Sequence, residues 1–458
     1  MFQAKYPKYP SFAALLEDLA ARQPEAPALR FGAAGCKSYL AFQKDVQARA
    51  EALKAGGKRC LGVLCDGSYA CVREIFAAAL AGMQLVLLDE NLPEEELPAL
   101  IRKTDIDALW GEDALDADLT PWLTRGAADG AGRVLFFTSG TTDSSKAVVL
   151  TQASLCASAW NGGALLPLSP EDRLLCLLPL NHVFGFVCGL LWGLSCGACV
   201  ALGRGARYYA EDLKHFSPTA VAVVPMLLGF LLKQEALNQG LRLVLIGAGD
   251  CPPALPAAVK ARGIRVSFGY GLTECSSGVA LSLGEDPYAM QICPDFRVRV
   301  AEDGELLIEN ESCMMQGYCK DPAATAAVLR DGVLRTGDLG RLDEKGLLHV
   351  TGRKKEILVF PDGTKLFLPE YEARLRSVLP ERDFAVIELK AAPALVLRGR
   401  ETEREAVTRA LEPLMRELPL SRRLKRVILD PSPLPRTATG KIQRWILQQK
   451  VVSQYDKN

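Results

Sequence analysis

Short apolar runs recur along the first part of the chain: LGVLC (61–65), QLVLL (84–88), RVLFF (133–137), AVAVV (220–224), RLVLI (242–246) and RVSFGY (265–270). Each has strand length and reads as near-continuous rather than strictly alternating. Between them lie stretches with helical spacing, such as SYACVREIFAAALAGM (68–83) and PMLLGFLLKQEALNQG (225–240). Buried strands separated by helices predict parallel sheets covered on both faces, so this part of the chain is α/β. From Phe296 the texture shifts to short alternating segments with turns at Asp303-Gly304 and Lys345-Gly346, which predicts a small antiparallel, β-barrel-like region over about 290–352. After Gly352 the pattern becomes α+β, with PEYEARLRSVLP and EREAVTRALEPLMREL as helices and FAVIEL, ALVLRG and RLKRVILD as strands. The expected organisation is a large domain over 1–352, holding two parallel-rich sheets, and a small α+β domain over 353–458.

The run from Val183 to Leu202 has no charged residue and reaches membrane-spanning length, with glycines at 185, 189, 193 and 197. Those glycines lower its hydrophobicity, and CVAL reads as a separate strand. The run is therefore expected to be a buried helix followed by a strand, its glycines allowing close approach to the sheet.

Composition narrows the partners. The 54 basic and 54 acidic residues cancel, and no basic run stands out, which argues against nucleic acid and favours a small-molecule substrate. The amino-terminal MFQAKYPKYPSFAALLEDLAARQ carries Glu17 and Asp18 inside an amphipathic pattern and lacks the apolar core of a signal peptide, so a cytoplasmic protein is expected. The 14 cysteines should then be reduced and serve as small hydrophobes. Cys196-Gly-Ala-Cys199 has redox or zinc spacing but no second ligand pair, so it too reads as structural.

Two lysine-bearing loops supply the candidate chemistry. In LFFTSGTTDSSKAVVLT (135–151) a strand enters a hydroxyl-rich loop and leaves as a β-branched run. A Walker loop would instead lead into a helix, so an ordinary P-loop ATPase is disfavoured; a solvated hairpin turn is the plainer alternative. Far downstream, PRTATGKIQR (435–444) places Lys441 in a second Gly- and Thr-containing loop. Two such loops suggest one polyphosphate site closed by two domains, with preorganised cations meeting charge that develops in the transition state.

Together with GYGLTE (269–274) and RTGDLGRLDEKGLLHVTGRKKE (335–356), these segments resemble the motifs of the adenylate-forming superfamily: acyl-CoA synthetases, peptide synthetase adenylation domains and luciferases. The resemblance covers nearly the whole chain, with four motifs in the family's order. It implies a mobile carboxyl-terminal domain, and ATP, Mg²⁺ and a thiol co-substrate. Thr138, Ser139, Gly140, Thr141, Thr142 and Lys146 would contact the β- and γ-phosphates. Tyr270 would lie against adenine, Gly271 would belong to the ATP-binding set, and Gly247, Ala248 and Gly249 would line the nucleotide or acyl pocket. Thr273 would sit beside the α-phosphate, and Glu274 would hold Mg²⁺ as a hard cation prefers. Asp338 would accept the ribose hydroxyls, and Arg353 would reach the same sugar or the phosphate. Lys441 would lie between the substrate carboxylate and the α-phosphate, with Thr142, Glu274 and His182 as further catalytic candidates. Lys355 would be the hinge. Plainer readings stand beside these: GYG is also a tight turn, Asp338 could cap a loop, and Lys354-Lys355 could be a solvated pair.

Departures from the family pattern are Asp143, Ser145 and Ala147 in the phosphate loop, and the hinge loop VFPDGTKLFLPEYE (359–372). Asp143 should repel phosphate unless turned outward or bridged by metal. The segment LLPLNHVFGFVCGLLWG (177–193) resembles the stretch beside the acyl group and offers Asn181, His182, Val183, Phe184 and Gly185. It has no acid to pair with an α-ammonium, which disfavours an amino acid. His182 could contact the carboxylate, gate the pocket or be a packed core residue. Gly185, Gly189, Gly247, Gly249 and Gly278 are expected to leave room for a medium- or long-chain fatty acid. The expected product is acyl-CoA made through acyl-AMP. Two alternatives are loading of a carrier protein's phosphopantetheine and a non-catalytic nucleotide- or acyl-binding protein on the same fold. Peripheral membrane contact could accompany a lipid substrate, without a transmembrane segment.

Overall fold

The computed structural model describes residues 6–111, 118–125, 130, 132–138, 146–249, 251–359, 365–390, 392–436 and 442–455. The fold is α/β. Two compact units divide the chain, one comprising 1–301, 307–336 and 341–349, the other 302–306, 337–340 and 350–458. This partition differs from a single cut at 352/353. Within the second unit, Lys354 Nζ lies 2.5 Å from Asp303 and 2.7 Å from Glu305, and Arg353 Nε lies 2.8 Å from Asp338. These ion pairs gather three acidic residues from earlier in the chain around the start of the last segment.

In the first unit, the parallel strands Pro27–Phe31, Cys199–Leu202, Arg173–Cys176, Ala220–Val223, Leu243–Ile246 and Arg265–Leu272 lie side by side in that order. Their interiors are apolar on both faces, as helix-covered strands require. Arg265–Leu272 changes partner midway: it runs parallel to Leu243–Ile246 as far as Phe268, then antiparallel to Ser277–Ser282 from Gly269. Met290–Ile292 pairs with Ser277–Ser282 and, through Met290, with Leu348, so the antiparallel strands extend this sheet. A second sheet has the order Gly317–Tyr318, Ala147–Thr151, Arg133–Phe137, Gln84–Asp89, Cys60–Cys65 and Ala108–Trp110. Its last four strands are parallel, and its first three are joined antiparallel.

The uncharged run is a helix through 183–195 that includes a π-helical stretch, Gly185–Leu191, followed by the strand Cys199–Leu202. A Cβ on Gly193 would lie 2.6 Å from Val200 and 2.9 Å from Leu174, and one on Gly189 would lie 3.1 Å from Cys176 Sγ. The glycines thus admit the strands, and no helix among the described residues is long and apolar enough to cross a membrane. All 14 cysteines are free thiols. Burial pushes Cys196 and Cys199 up to about 11, so neither offers a thiolate near neutral pH.

The second unit builds its core on both faces of the sheet Phe384–Leu389, Ala392–Arg398 and Arg426–Asp430. The two-residue strand period sends Phe384 and Val386 toward the helices Leu368–Val378 and Arg404–Glu417, and Ala385 and Ile387 toward Leu447 and Val451 of helix Arg444–Tyr455.

Candidate active site

Strands 173–176, 220–223, 243–246 and 265–268 are parallel neighbours, so their carboxyl ends open on one edge, where ligands of open α/β sheets bind. Leu177 to His182, Val224, Gly247 to Gly249 and Gly269 to Glu274 all follow these ends. Ala248, exposed between two glycines, adopts a left-handed backbone with φ of 64°. A non-glycine residue held there marks a turn whose shape is over-determined by its surroundings. GYG is not a tight turn, because Gly269, Tyr270 and Gly271 all belong to the strand, which ends in the 3₁₀ turn Thr273–Cys275 carrying Glu274. A Cβ on Gly271 would fall 1.5 Å from the Ser277 carbonyl oxygen, so only glycine permits this crossing.

On the second sheet, strands 133–137 and 147–151 pair up to Phe137 and Ala147. The Thr138 N–H donates to the Lys146 carbonyl at 3.0 Å, and the Lys146 N–H donates to Thr138 Oγ1 at 3.1 Å. This neck closes the loop that carries Ser139, Gly140, Thr141 and Thr142, which lie outside the described residues, as does Asp143. The Lys146 ammonium sits 4.4 Å from the ring centroid of Tyr318, whose hydroxyl donates to Glu274 Oε1 at 2.7 Å. Lys146 and Glu274, 128 positions apart in sequence (274 − 146), are thereby brought onto one side chain. Sequence reasoning passed over Tyr318, since a Gly-Tyr pair carries no chemical signature of its own.

The π-helical stretch packs beside both motifs. Phe186 meets Phe136 edge-on at 5.6 Å, just before the hydroxyl-rich segment, and Cys188 Sγ lies 3.7 Å from Ser277 Oγ, just after Glu274. π-helical turns concentrate at functional sites. Val183 and Gly185 are buried, and Phe184 is half-buried. A Cβ on Gly247 would meet the Phe184 ring at 2.8 Å, and one on Gly185 would meet the Pro179 carbonyl oxygen at 2.2 Å. These two glycines therefore do not leave open space: their hydrogen faces are already filled. Around Gly278 nothing lies within 4 Å of an added Cβ.

His182 keeps Nε2 buried and without a hydrogen-bond partner among the described residues. Burial lowers its pKa against a weaker upward pull from Asp89, so the imidazole is neutral at pH 7. The unfolded chain then binds the proton first, and stability falls as pH drops below about 6.5 toward the lowered folded value. We expect His182→Gln to flatten that part of the stability profile, read by urea unfolding over the weakly acidic range; an unchanged slope would contradict a buried neutral His182.

In the second unit, Asp338 is buried within the strand Val333–Leu342 and holds Arg353. It is an interior strand residue rather than a loop cap, and its carboxylate is the kind of group that accepts ribose hydroxyls. Lys441 lies outside the described residues, but the neck of its loop is defined. Arg436 bridges Ile442, the Gln443 N–H donates to the Pro435 carbonyl at 2.8 Å, and Arg444 donates to Glu372 at 2.7 Å. Glu372, the last residue of PEYE, also accepts from the Val386 N–H. Lys355 is exposed, next to the anchored Arg353 and Lys354.

The sequence pattern of the AMP-binding enzymes matches residues 130–319, the span that carries Thr138, Lys146, Tyr270, Glu274 and Tyr318. This chain belongs to the AMP-binding enzyme family. Among its AMP-binding relatives, an indoleacetate–CoA ligase of Aromatoleum aromaticum is 29% identical over 90% of this chain and 93% of its own length. A 4-coumarate–CoA ligase of Narcissus pseudonarcissus is 31% identical over 69% of this chain and 62% of its own. The same fold occurs in the O-succinylbenzoate coenzyme A synthetase of Bacillus subtilis solved with AMP, with a TM-score of 0.79, 24% identity, and coverage of 95% of this chain and 98% of that one. ATP-bound MatB from Rhodopseudomonas palustris superposes with a TM-score of 0.82 at 21% identity, over 96% and 99% of the two chains.

A magnesium ion would suit this candidate site in kind. Glu274 offers a hard, half-buried carboxylate with one oxygen taken by Tyr318, and the described residues hold no cluster of three potential metal ligands. One carboxylate plus nucleotide phosphates and water is the set magnesium favours.

Proposed function

We propose that this chain is an AMP-forming acid–CoA ligase. The substrate carboxylate attacks the α-phosphorus of ATP, pyrophosphate leaves, and an acyl-adenylate forms. The CoA thiol then attacks the acyl carbon and AMP leaves, carrying the bonding electron pair, while the thiol proton passes to solvent. The observation that carries this reading is the convergence of Lys146 and Glu274 on Tyr318, which links a phosphate-loop cation to a magnesium-type carboxylate. The relatives support the acceptor, being named as CoA ligases. Lys146 and the hydroxyl loop hold the β- and γ-phosphates, and Glu274 would hold a magnesium ion, which would supply charge neutralisation there. Lys441 neutralises charge developing between carboxylate and α-phosphate, and no enzyme nucleophile is needed. The carboxyl-terminal segment beyond the anchored Arg353 and Lys354 acts as the mobile domain, with Lys355 as its hinge.

The acid we propose is compact and flat rather than a long-chain fatty acid. Phe184 fills the space over Gly247, and Gly185 and Gly189 are spent on packing against Pro179 and Cys176. Named relatives act on indoleacetate, 2-succinylbenzoate and 4-coumarate, which agrees with an aromatic-bearing acid. The test is acid-dependent exchange of labelled pyrophosphate into ATP over aryl, short, medium and long-chain acids. Aryl acids should support exchange best, and Phe184→Ala should shift preference toward longer acids by about tenfold, the scale of one or two methylenes in a pocket. A wild type that prefers C12 to C18 acids, or a variant with an unchanged profile, would contradict the assignment.

A further inference from the structure

Tyr318 meets two charged groups that the functional reading places on the nucleotide. It is itself buried, at 8% exposure, with its hydroxyl on Glu274 and one ring face under Lys146. Its position is fixed from several directions. Gly317–Tyr318 pairs with Val149 and Val148 on the strand leaving the phosphate loop. The Tyr318 N–H donates to Thr325 Oγ1 at 2.9 Å, and the Met315 N–H donates to the Glu274 carbonyl at 2.9 Å. Gly317 has φ of 144°, where a Cβ would lie 3.0 Å from the Thr325 side chain. One short segment thus spans the two sheets that carry the phosphate loop and the nucleotide motif.

The consequence is electrostatic. A lysine and a glutamate left in one half-buried pocket gain by pairing with each other, and a paired lysine and carboxylate have less to offer phosphate or metal. A tyrosine between them gives each a weaker partner: a ring face for the ammonium and a single hydroxyl for the carboxylate.

We propose that Tyr318 is a positioning residue that holds Lys146 and Glu274 apart and aims them, the first at phosphate and the second at the phosphate-bound magnesium. This rests on the ligase reading above. It separates two effects by side-chain group, because the hydroxyl serves Glu274 and the ring serves Lys146.

The test measures ATP affinity by titration calorimetry, with and without Mg²⁺, for wild type, Tyr318→Phe and Tyr318→Leu. Phenylalanine keeps the spacer and removes the donor. We expect it to leave Mg²⁺-free ATP affinity unchanged and to weaken the gain from Mg²⁺ by about tenfold, the worth of one hydrogen bond to a charged group. Leucine removes the ring as well and should weaken ATP binding under both conditions. In a Glu274→Gln background, Tyr318→Phe should add nothing to the Mg²⁺ dependence. Wild-type binding in both variants overturns the inference, and so does equal loss under both conditions in Tyr318→Phe, which is what mere structural damage would give. A wild type that binds no ATP overturns the functional reading, and this inference with it.

Discussion

Replacing Lys441 with alanine is expected to abolish acyl-adenylate formation while leaving ATP bound. The lysine stands in a loop whose neck is held by the Arg436–Ile442 bridge, the Gln443 N–H and the Arg444–Glu372 ion pair, none of which uses its side chain. The second unit should therefore keep its fold, and the loss should fall on chemistry. An interaction that strengthens only as charge develops between carboxylate and α-phosphate lowers the barrier without tightening ground-state binding. Removing one preorganised donor of this type costs about a hundred- to a thousandfold in rate. Pyrophosphate exchange should fall by at least that factor with the ATP dissociation constant within about threefold of wild type, the customary scatter of such measurements on context. Unchanged exchange would remove Lys441 from the mechanism, and parallel loss of ATP binding would make it a ground-state ligand.

The second large effect is expected at Lys355. Arg353 and Lys354 are tied to Asp338, Asp303 and Glu305, whereas the exposed Lys355 side chain makes no ion pair among the described residues. A backbone change is easiest just beyond an anchored pair, and it is absorbed by a few residues at the end of an element. Here that element is the strand Leu348–Arg353, followed by the short turn Lys354–Glu356. Lys355→Pro fixes φ near −65° and removes one N–H. We expect adenylation, read by pyrophosphate exchange, to persist, and acyl-CoA formation from preformed acyl-AMP to drop by about tenfold or more, as a gating step would when its motion is blocked. Equal loss in both half-reactions would mean that the substitution damages the unit rather than its movement.

The parallel-strand texture was legible because continuous apolar runs such as AVAVV and RLVLI have one physical explanation in a chain this long: strands covered on both faces. The helix-then-strand reading of 183–202 was also legible, and the reason given for its glycines matches their contacts with Leu174, Cys176 and Val200. Glycines carry less weight for the substrate reading. A small residue in sequence signals close approach, but not whether a ligand or another part of the chain does the approaching; at Gly185 and Gly247 it is Pro179 and Phe184. The pairing of Arg353 and Lys354 with Asp303, Glu305 and Asp338 was not legible, because ion pairs between distant segments leave no periodic trace. Tyr318 was missed for a related reason. Its role comes from pairing register and from two partners far away in sequence, Lys146 and Glu274, and neither is written in the residues around it.

The most direct test of the central claim is a single exchange experiment on the purified chain: labelled pyrophosphate, ATP, Mg²⁺ and a panel of aryl, short, long-chain and amino acids, with CoA thioester product followed in parallel. The account predicts exchange that depends on an aryl or other compact acid, and a CoA thioester of that same acid once CoA is added. ATP binding without acid-dependent exchange for any member of the panel would contradict it and leave a nucleotide-binding protein on a ligase fold.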